Sequence, residues 1–416
     1  MSPLSSTPPT LAIVGASYAG VQLAASARDA GFDGRILMFG DEPHLPYQRP
    51  PLSKGLLTGK TTVAALALKS ADFYREARIE HVPDMRVSHI DPAAHRLTLA
   101  DGSTLAWDWL ALATGARCRA LPMPGAGLQG VHALRSLDDA LALDEAAHKG
   151  KRVCVIGGGF IGLEVAAALA GRGLEVTVVE LGSRLLSRAV TPEISRFVAS
   201  LHAAHGVRVL CNSAVQAIHG HAGKVSAVEL ESGECLGCDL VVAGIGVVPN
   251  DELARAAGIV CANGIVTDAL GRTSAPGVLA IGDCAATPNP HAAEPDTPLR
   301  LESIQVANDL ARAAASLIAG QPQACIAVPW FWSDQYDAKL QMAGLMSPTD
   351  DVVVRGDPAS GRFSVFCLRD GCIAAVQTVS RPADHMLGRK LVAARTAIAA
   401  DTLADPDFDP RTLIPR

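Results

Sequence analysis

Two stretches of this chain set glycines at a spacing that suits phosphate. "VCVIGGGFIGLEVA" places Gly157, Gly159 and Gly162 in a Gly-x-Gly-x-x-Gly turn directly after an apolar run, with Phe160 and Ile161 in the open positions. A strand that breaks into a helix needs the first glycine for the turn. The second lets a pyrophosphate approach the backbone, and the third lets helix pack on strand. The first amides of the helix, and its dipole, then face the phosphates. Glu180 ends the next apolar run. An acid about 20 residues past the turn accepts hydrogen bonds from the adenosine ribose and repels a 2′-phosphate. That pattern favours NADH over NADPH. Arg184 and Arg188 follow closely, and an arginine there can receive a phosphate, so Glu180 does not close the question alone.

The second stretch, "LAIVGASYAG", carries the same turn with one substitution: Gly15 and Gly20 stand in place, and Ser17 replaces the middle glycine, two residues before Ala19. Serine is small, and its hydroxyl can donate to a phosphate. Asp41 lies near where the ribose acid belongs. One such turn is weak evidence, because glycines also fill ordinary tight turns. Two in phase within one chain imply two dinucleotides, a diffusible nicotinamide and a resident FAD. An extended FAD needs further contacts from distant segments. "ALATGA", with Ala113, Thr114 and Gly115, and "LAIGDCA", with Gly282 and Asp283, are placed to supply them. Asp283 could accept from the ribitol hydroxyls; the alternative is a turn-forming Asp beside Gly.

The elements that must position these residues read as strand–turn–helix–strand units. "LAIVG", "VQLAASARDAG" and "RILMFGDE" form the first, and "KRVCVIG", "IGLEVAAALAGRG" and "EVTVVE" the second. Between them lies an irregular segment, Asp41 to Lys60, whose four prolines exclude a regular helix or an inner strand. A helix is expected over about 70–78, hairpin-like strands over about 207–240, and a further helix at "ESIQVANDLARAAASLIAG". A domain crossing is expected in "RCRALPMPGAG". From "VPWFWSDQYDAKLQMAG" the character changes to aromatic-rich, antiparallel strands.

Composition agrees with this plan. The chain has 416 residues, enough for two or three domains. Hydrophobic residues make up 49 % and aromatics only 4 %, as suits buried parallel strands and small-residue helices. The net charge of -6 argues against a nucleic-acid partner. No apolar run approaches the roughly 20 residues that span a bilayer, and "MSPLSSTPPT" lacks the basic and apolar regions of a secretory leader; a soluble cytoplasmic protein is expected. The ten cysteines show no disulfide framework. Cys235 and Cys238 form a CxxC, read as two ordinary residues at a turn because no second pair completes a zinc site. No bound metal is expected.

Taken in order, "GASYAG", "LPYQRPPLSK", "ATGA", "GGGFIGLEVA", "AGIGVVPN", "GDCA" and "PWFWSDQY" resemble the oxygenase-coupled, NADH-dependent ferredoxin reductases, FAD flavoproteins of the glutathione-reductase-like fold. The resemblance covers about residues 10–410. It implies an α/β protein with two Rossmann-like dinucleotide-binding domains and an α+β C-terminal domain. The bounds would be 1–118 with 247–326 for FAD, 119–246 for NAD, and 327–416 for the C-terminal domain beside the flavin. It further implies FAD contacts at Asp41, Arg49, Lys54, Val87, Arg135, Asp283, Ile304 and Trp332, and NAD contacts at Glu164, Glu180, Arg188, Gly244 and Gly246. Lys54, Glu164 and Trp332 would serve the chemistry: Lys54 as a cation near the flavin, Glu164 as its partner, Trp332 on the exit side with Trp330 and Phe331.

The implied reaction takes a hydride from NADH onto FAD and passes single electrons to a small acidic [2Fe-2S] ferredoxin. Disulfide reductases of this fold carry a CxxxxC pair after the first turn. Here no cysteine precedes Cys118, so a dithiol relay is not expected. Docking of an acidic ferredoxin calls for a local basic patch, with Arg300, Arg312, Lys339, Arg381, Arg389, Lys390 and Arg395 as candidates. Two rival readings remain at this stage. One is an NADH oxidase or peroxidase, for which Cys284 would have to meet the cofactor. The other is an NADH-sensing flavoprotein that changes oligomeric state on reduction.

Overall fold

The computed structural model describes residues 8–324 and 327–414. The opening residues 1–7, on which the reading of no leader partly rests, lie outside the described residues, as do 325–326 and 415–416 at the edges of the expected domain bounds. The chain divides into two compact units.

The first unit takes Met1–Gln48, Leu66–Arg117 and Pro249–Pro329. Its centre is a parallel sheet in the order Val278–Ala280, Trp109–Leu112, Thr10–Val14, Arg35–Phe39, Ile79–Val82. Leu11, Ala12 and Ile13 are all fully buried. A central parallel strand covered on both faces reads as a continuous apolar run. Helix Tyr18–Asp29 returns the chain from the first strand to its neighbour, and its small residues Ala19, Ala24 and Ala27 are buried. Helix Ile304–Ile318 presents a stripe of Ala307, Leu310, Ala311, Ala314 and Ala315 to the same core. The helix expected over 70–78 is the shorter Ala71–Glu76, capped by the Ser70 hydroxyl, which accepts from the Phe73 amide at 3.2 Å. Arg78 then takes a left-handed φ of 51°, which ends the turn.

The second unit takes Arg49–Ala65, Cys118–Val248 and Trp330–Arg416. Its parallel sheet runs Arg208–Leu210, Glu175–Val179, Arg152–Ile156, Leu240–Ala243, Val131–Ala133. Strands Val215–His221, Lys224–Leu230 and Cys235–Gly237 form an antiparallel sheet within the expected hairpin region. The residues from Trp330 onward build a five-stranded antiparallel sheet covered by helix Pro382–Ala393. The proline-rich segment is not wholly irregular: Pro50–Ser53 is a single 3-10 turn, and a second, Val63–Leu66, follows the segment. Proline at the first position of a helical turn loses no hydrogen bond, because that N–H has no intrahelical partner.

Candidate cofactor turns and a buried carboxylate

The two glycine turns, one in each unit, are built alike. Gly15 and Gly157 have φ of +123° and +108°, outside the range of other L residues. Their amides donate to Phe39 O at 2.8 Å and Val179 O at 2.7 Å. A Cβ on Gly15 would meet Ala113 O at 2.0 Å, and one on Gly157 would meet Gly244 O at 2.4 Å. A Cβ on Gly20 or Gly162 would meet the carbonyl oxygen of the first glycine of its own turn, at 2.1 and 2.3 Å. Gly15 and Gly157 are thus pinned against the end of a neighbouring strand, Gly20 and Gly162 against their own turn, and each helix starts one turn on.

The middle position differs. Gly159 caps helix Phe160–Gly171 with φ -81°, ψ 176°, and a Cβ there would find nothing nearer than Gly244 O at 3.8 Å. Ser17 caps helix Tyr18–Asp29 with φ -134°, ψ -159°. Both are extended backbone open to any residue. The middle glycine therefore answers to an approaching ligand, not to the fold, and serine substitutes for it without strain. Room of this kind at a helix N-terminus fits a pyrophosphate.

In the first unit, Gly282 and Asp283 lie directly beside this turn, since a Cβ on Gly282 would touch Ala19 Cβ at 2.9 Å. The Thr114–Gly115 turn is clamped by a residue the sequence reading left without a role. Asn250 Nδ2 donates to Thr114 O at 2.8 Å, and Thr114 Oγ1 donates to Asn250 O at 2.5 Å. Asn250 ends the "AGIGVVPN" motif, which is the signal that could have found it. Asp41 is exposed, and strand register puts Gly40, not Asp41, at the place Glu180 takes in the second turn. Val87 is buried in the core and Ile304 opens its helix after Ser303. Cys284 is fully buried, its thiol donating to Ile281 O at 3.3 Å and Leu112 O at 3.4 Å. Burial pushes its pKa up, so it is a core residue rather than a thiolate.

In the second unit, Glu180 Oε2 accepts from the Gly158 amide and Oε1 from the Gly182 amide, both at 2.6 Å. The acid is held at the lip of the turn by charge-assisted bonds. Arg184 is turned back on its own loop, donating to Val190 O and Ser187 O at 2.8 Å. Arg188 is exposed, with a terminal nitrogen 3.6 Å from where a Cβ on Gly246 would lie. Phe160 packs edge-on against Phe331, ring centroids 4.4 Å apart, and Ile161 is exposed. Arg49 donates to Arg135 O at 2.6 Å.

Glu164 stands on the first turns of helix Phe160–Gly171 and is 5 % exposed. Lys54 Nζ lies 3.1 Å from its Oε1 and 3.7 Å from Asp334 Oδ2. Ser333 Oγ donates to Oε1 and Ser53 Oγ to Oε2, each at 2.5 Å. Desolvation raises the pKa of Glu164, and Lys54 and the two hydroxyls oppose that rise. The expected pairing of Lys54 with Glu164 is present; the two serines are new. Ser53 directly precedes Lys54 in "PPLSK", and Ser333 lies within "PWFWSDQY". Trp332 is half-buried, its ring 5.5 Å from that of Trp330.

Among the basic candidates, the Arg300 side chain is only 7 % exposed and pairs with Glu302. That burial removes it from any docking surface. Arg312 pairs with Asp309 and Arg381 with Asp384. Lys339, Arg389, Lys390 and Arg395 are exposed, all on the C-terminal sheet and its helix side, with the Arg389 guanidinium 5.1 Å from the Trp330 ring centroid. Cys235 is exposed and Cys238 buried. Among the described residues there is no cluster of metal-binding side chains, and no helix is long and apolar enough to cross a membrane.

Comparison with known proteins agrees with this geometry. Residues 9–353 match the pyridine nucleotide-disulphide oxidoreductase family, and residues 330–414 match the reductase C-terminal family. The chain is 44 % identical to rhodocoxin reductase of Rhodococcus erythropolis, over 98 % of this chain and 95 % of that protein. The crystal structure of the ferredoxin reductase for the CYP199A2 system from Rhodopseudomonas palustris superposes with a TM-score of 0.93 at 42 % identity, covering 97 % of this chain and 99 % of that one. The covalent putidaredoxin reductase–putidaredoxin complex gives 0.94 at 36 % identity, covering 98 % of each. The chain belongs to the pyridine nucleotide-disulphide oxidoreductase family, an FAD- and NAD(H)-dependent oxidoreductase with the reductase C-terminal domain.

Proposed function

We propose that this member of the family is an NADH-dependent ferredoxin reductase that serves an oxygenase, a cytochrome P450 or a Rieske dioxygenase. The observation that carries the reading is the pair of equivalent glycine turns, one per unit, with no cysteine before Cys118. A dinucleotide in each turn, without a thiol pair beside the first, leaves the flavin itself as the electron donor. FAD, when bound, supplies the change from a hydride pair to single electrons. The likeness to proteins named ferredoxin reductases supports a small acidic [2Fe-2S] partner.

The chain's own residues then have defined tasks. Gly15, Ser17, Ala19 and Gly20 give FAD phosphates an open helix start. The Thr114–Gly115 and Gly282–Asp283 turns close around that start. Gly157, Gly159, Gly162, Gly244 and Gly246 form the equivalent NADH cradle, and Glu180 reads the adenosine ribose. Lys54, Glu164 and Trp332 are assigned to the reacting rings: the cation offsets negative charge gained on reduction, and Glu164 fixes the cation. The assignment keeps 1–118 with 247–326 for FAD, 119–246 for NAD, and 327–416 for the C-terminal domain. Lys339, Arg389, Lys390 and Arg395 are the docking patch for the acidic partner. We place the protein in the cytoplasm.

The test is direct. Purified protein should be yellow, and with NADH and a [2Fe-2S] ferredoxin it should reduce cytochrome c far faster than without the ferredoxin, and faster with NADH than with NADPH. A colourless protein that ignores FAD, or equal oxygen consumption with and without carrier, overturns the proposal.

A further inference from the structure

The motif "PWFWSDQY" does more than supply aromatics. Its strand, Trp330–Gln335, turns Ser333 and Gln335 inward, and both are fully buried. Gln335 Nε2 donates to Ser333 Oγ at 3.3 Å, and Gln335 Oε1 lies 2.9 Å from His202 Nε2. His202, on helix Pro192–Ala204, is also fully buried. Ser333 Oγ reaches Glu164, and Ser53, 2 % exposed, reaches the other carboxylate oxygen.

The charge of Glu164 fixes the direction of every bond in this row. A carboxylate only accepts, so Ser333 must donate to it. Ser333 Oγ then has only lone pairs for Gln335, which must offer Nε2–H. Its Oε1 must in turn accept, so His202 is the Nε2–H tautomer. Desolvation lowers the pKa of His202, which keeps the ring neutral. If Glu164 took a proton, it would compete to donate, and the order of the row would be lost. An amide is a poor proton carrier, so the row orients and stabilises charge and does not conduct protons.

We propose that Ser333, backed by Gln335 and His202, and Ser53 are positioning residues that keep Glu164 ionised and aimed at Lys54. The inference rests on the proposed role of Lys54 and Glu164 at the reacting rings. Among the described residues Lys54 pairs with one buried carboxylate, Glu164; its second contact, Asp334, is on a side chain 45 % exposed. Among the described residues, the charged groups facing Glu164 are few. The turn before Lys54 and strand Trp330–Gln335 bring Lys54 and, beyond it, Asp334. The two strands under its helix begin with Arg152 and Glu175, both exposed at their far ends. Removing one hydroxyl therefore leaves the carboxylate with Lys54 and the other serine as its remaining donors.

The experiment follows the carboxyl group itself. Flavin-loaded protein without NADH is titrated between pH 5 and 9, and the infrared C=O band of a protonated carboxyl is assigned to Glu164 by its loss in Glu164→Gln. In Ser333→Ala the midpoint of that band should rise by about one to two pH units. Ser53→Ala should move it in the same direction, and Ser333→Thr, which restores a hydroxyl, should return it toward the wild-type value. Reduction by NADH in a stopped-flow instrument should slow below the same shifted midpoint. A shifted band with an unshifted reduction profile supports the positioning row and overturns the role of Glu164 in hydride transfer. An unchanged midpoint in both alanine variants, no band in either, or equal shifts in Ser333→Ala and Ser333→Thr overturns the inference.

Discussion

Replacing Lys54 with methionine isolates what the cation does for Glu164. The change keeps chain length and removes a positive charge 3.1 Å from Oε1, with the two side chains 20 % and 4 % exposed. At an effective dielectric of about 20, an ion pair at that distance is worth roughly 5 kcal/mol. Losing one member of a buried pair costs about 3–5 kcal/mol. The carboxyl has an alternative, which is to bind a proton. From an unfolded pKa of about 4.3, holding it neutral costs about 1.36 kcal/mol per pH unit, or roughly 3.7 kcal/mol at pH 7. The smaller figure sets the ceiling. The sign follows from the direction of the shift. Burial already raises the Glu164 pKa, and loss of Lys54 raises it further. A raised acid keeps its proton in the fold when the unfolded chain has released it, so stability falls as pH rises. The variant should therefore melt near the wild type at about pH 4.5 and fall progressively below it toward neutrality. At roughly 2–4 °C per kcal/mol, the loss at pH 7 is at most about 7–15 °C. Thermal melts of flavin-loaded protein across pH measure it. Lys54→Met with Glu164→Gln should recover most of the loss and flatten the pH dependence. A penalty equal at pH 5 and pH 8, or no recovery in the double variant, would refute the reasoning.

Three further outcomes are expected. Glu180→Ala should lower kcat/KM for NADH and narrow its ratio to that for NADPH, since the acid is lost and the Gly158 and Gly182 amides lose their acceptor; full discrimination retained in the variant would sink the assignment. Gly159→Ala should melt like the wild type yet bind NADH at least about tenfold more weakly, roughly 1.4 kcal/mol, whereas Gly162→Ala should lower the melting temperature because its Cβ would sit 2.3 Å from Gly157 O. Calorimetry and NADH titration separate the two, and normal binding by Gly159→Ala would contradict the cradle. Ferredoxin reduction should slow several-fold as ionic strength rises from about 0.01 to 0.15 M, and more weakly so after Arg389→Glu and Lys390→Glu; a rate indifferent to salt would remove the patch.

Much of the chemistry was legible because it is local. Gly15 and Gly157 need positive φ, and Gly20 and Gly162 need to lie against a carbonyl one helical turn away. Such demands fall on neighbours in the chain and leave a spacing. The same holds for Glu180, whose amide partners are Gly158 and Gly182, and for the buried strands flanking each turn. Spacing says less at the edges. Asp41 is one residue past the place its counterpart takes, and Arg300 is buried.

The amino-acid sequence alone settled two dinucleotide turns, their order, and the pairing of Lys54 with Glu164 through resemblance. Folding alone decided what else surrounds that carboxylate. Ser53, Ser333, Gln335 and His202 come from three distant stretches, and Ser333 lies 169 residues from the group it serves. A glycine's constraint is written in its own dihedrals. A buried charge must be satisfied by whichever donors the packed elements bring to it, and no periodicity in the chain records that.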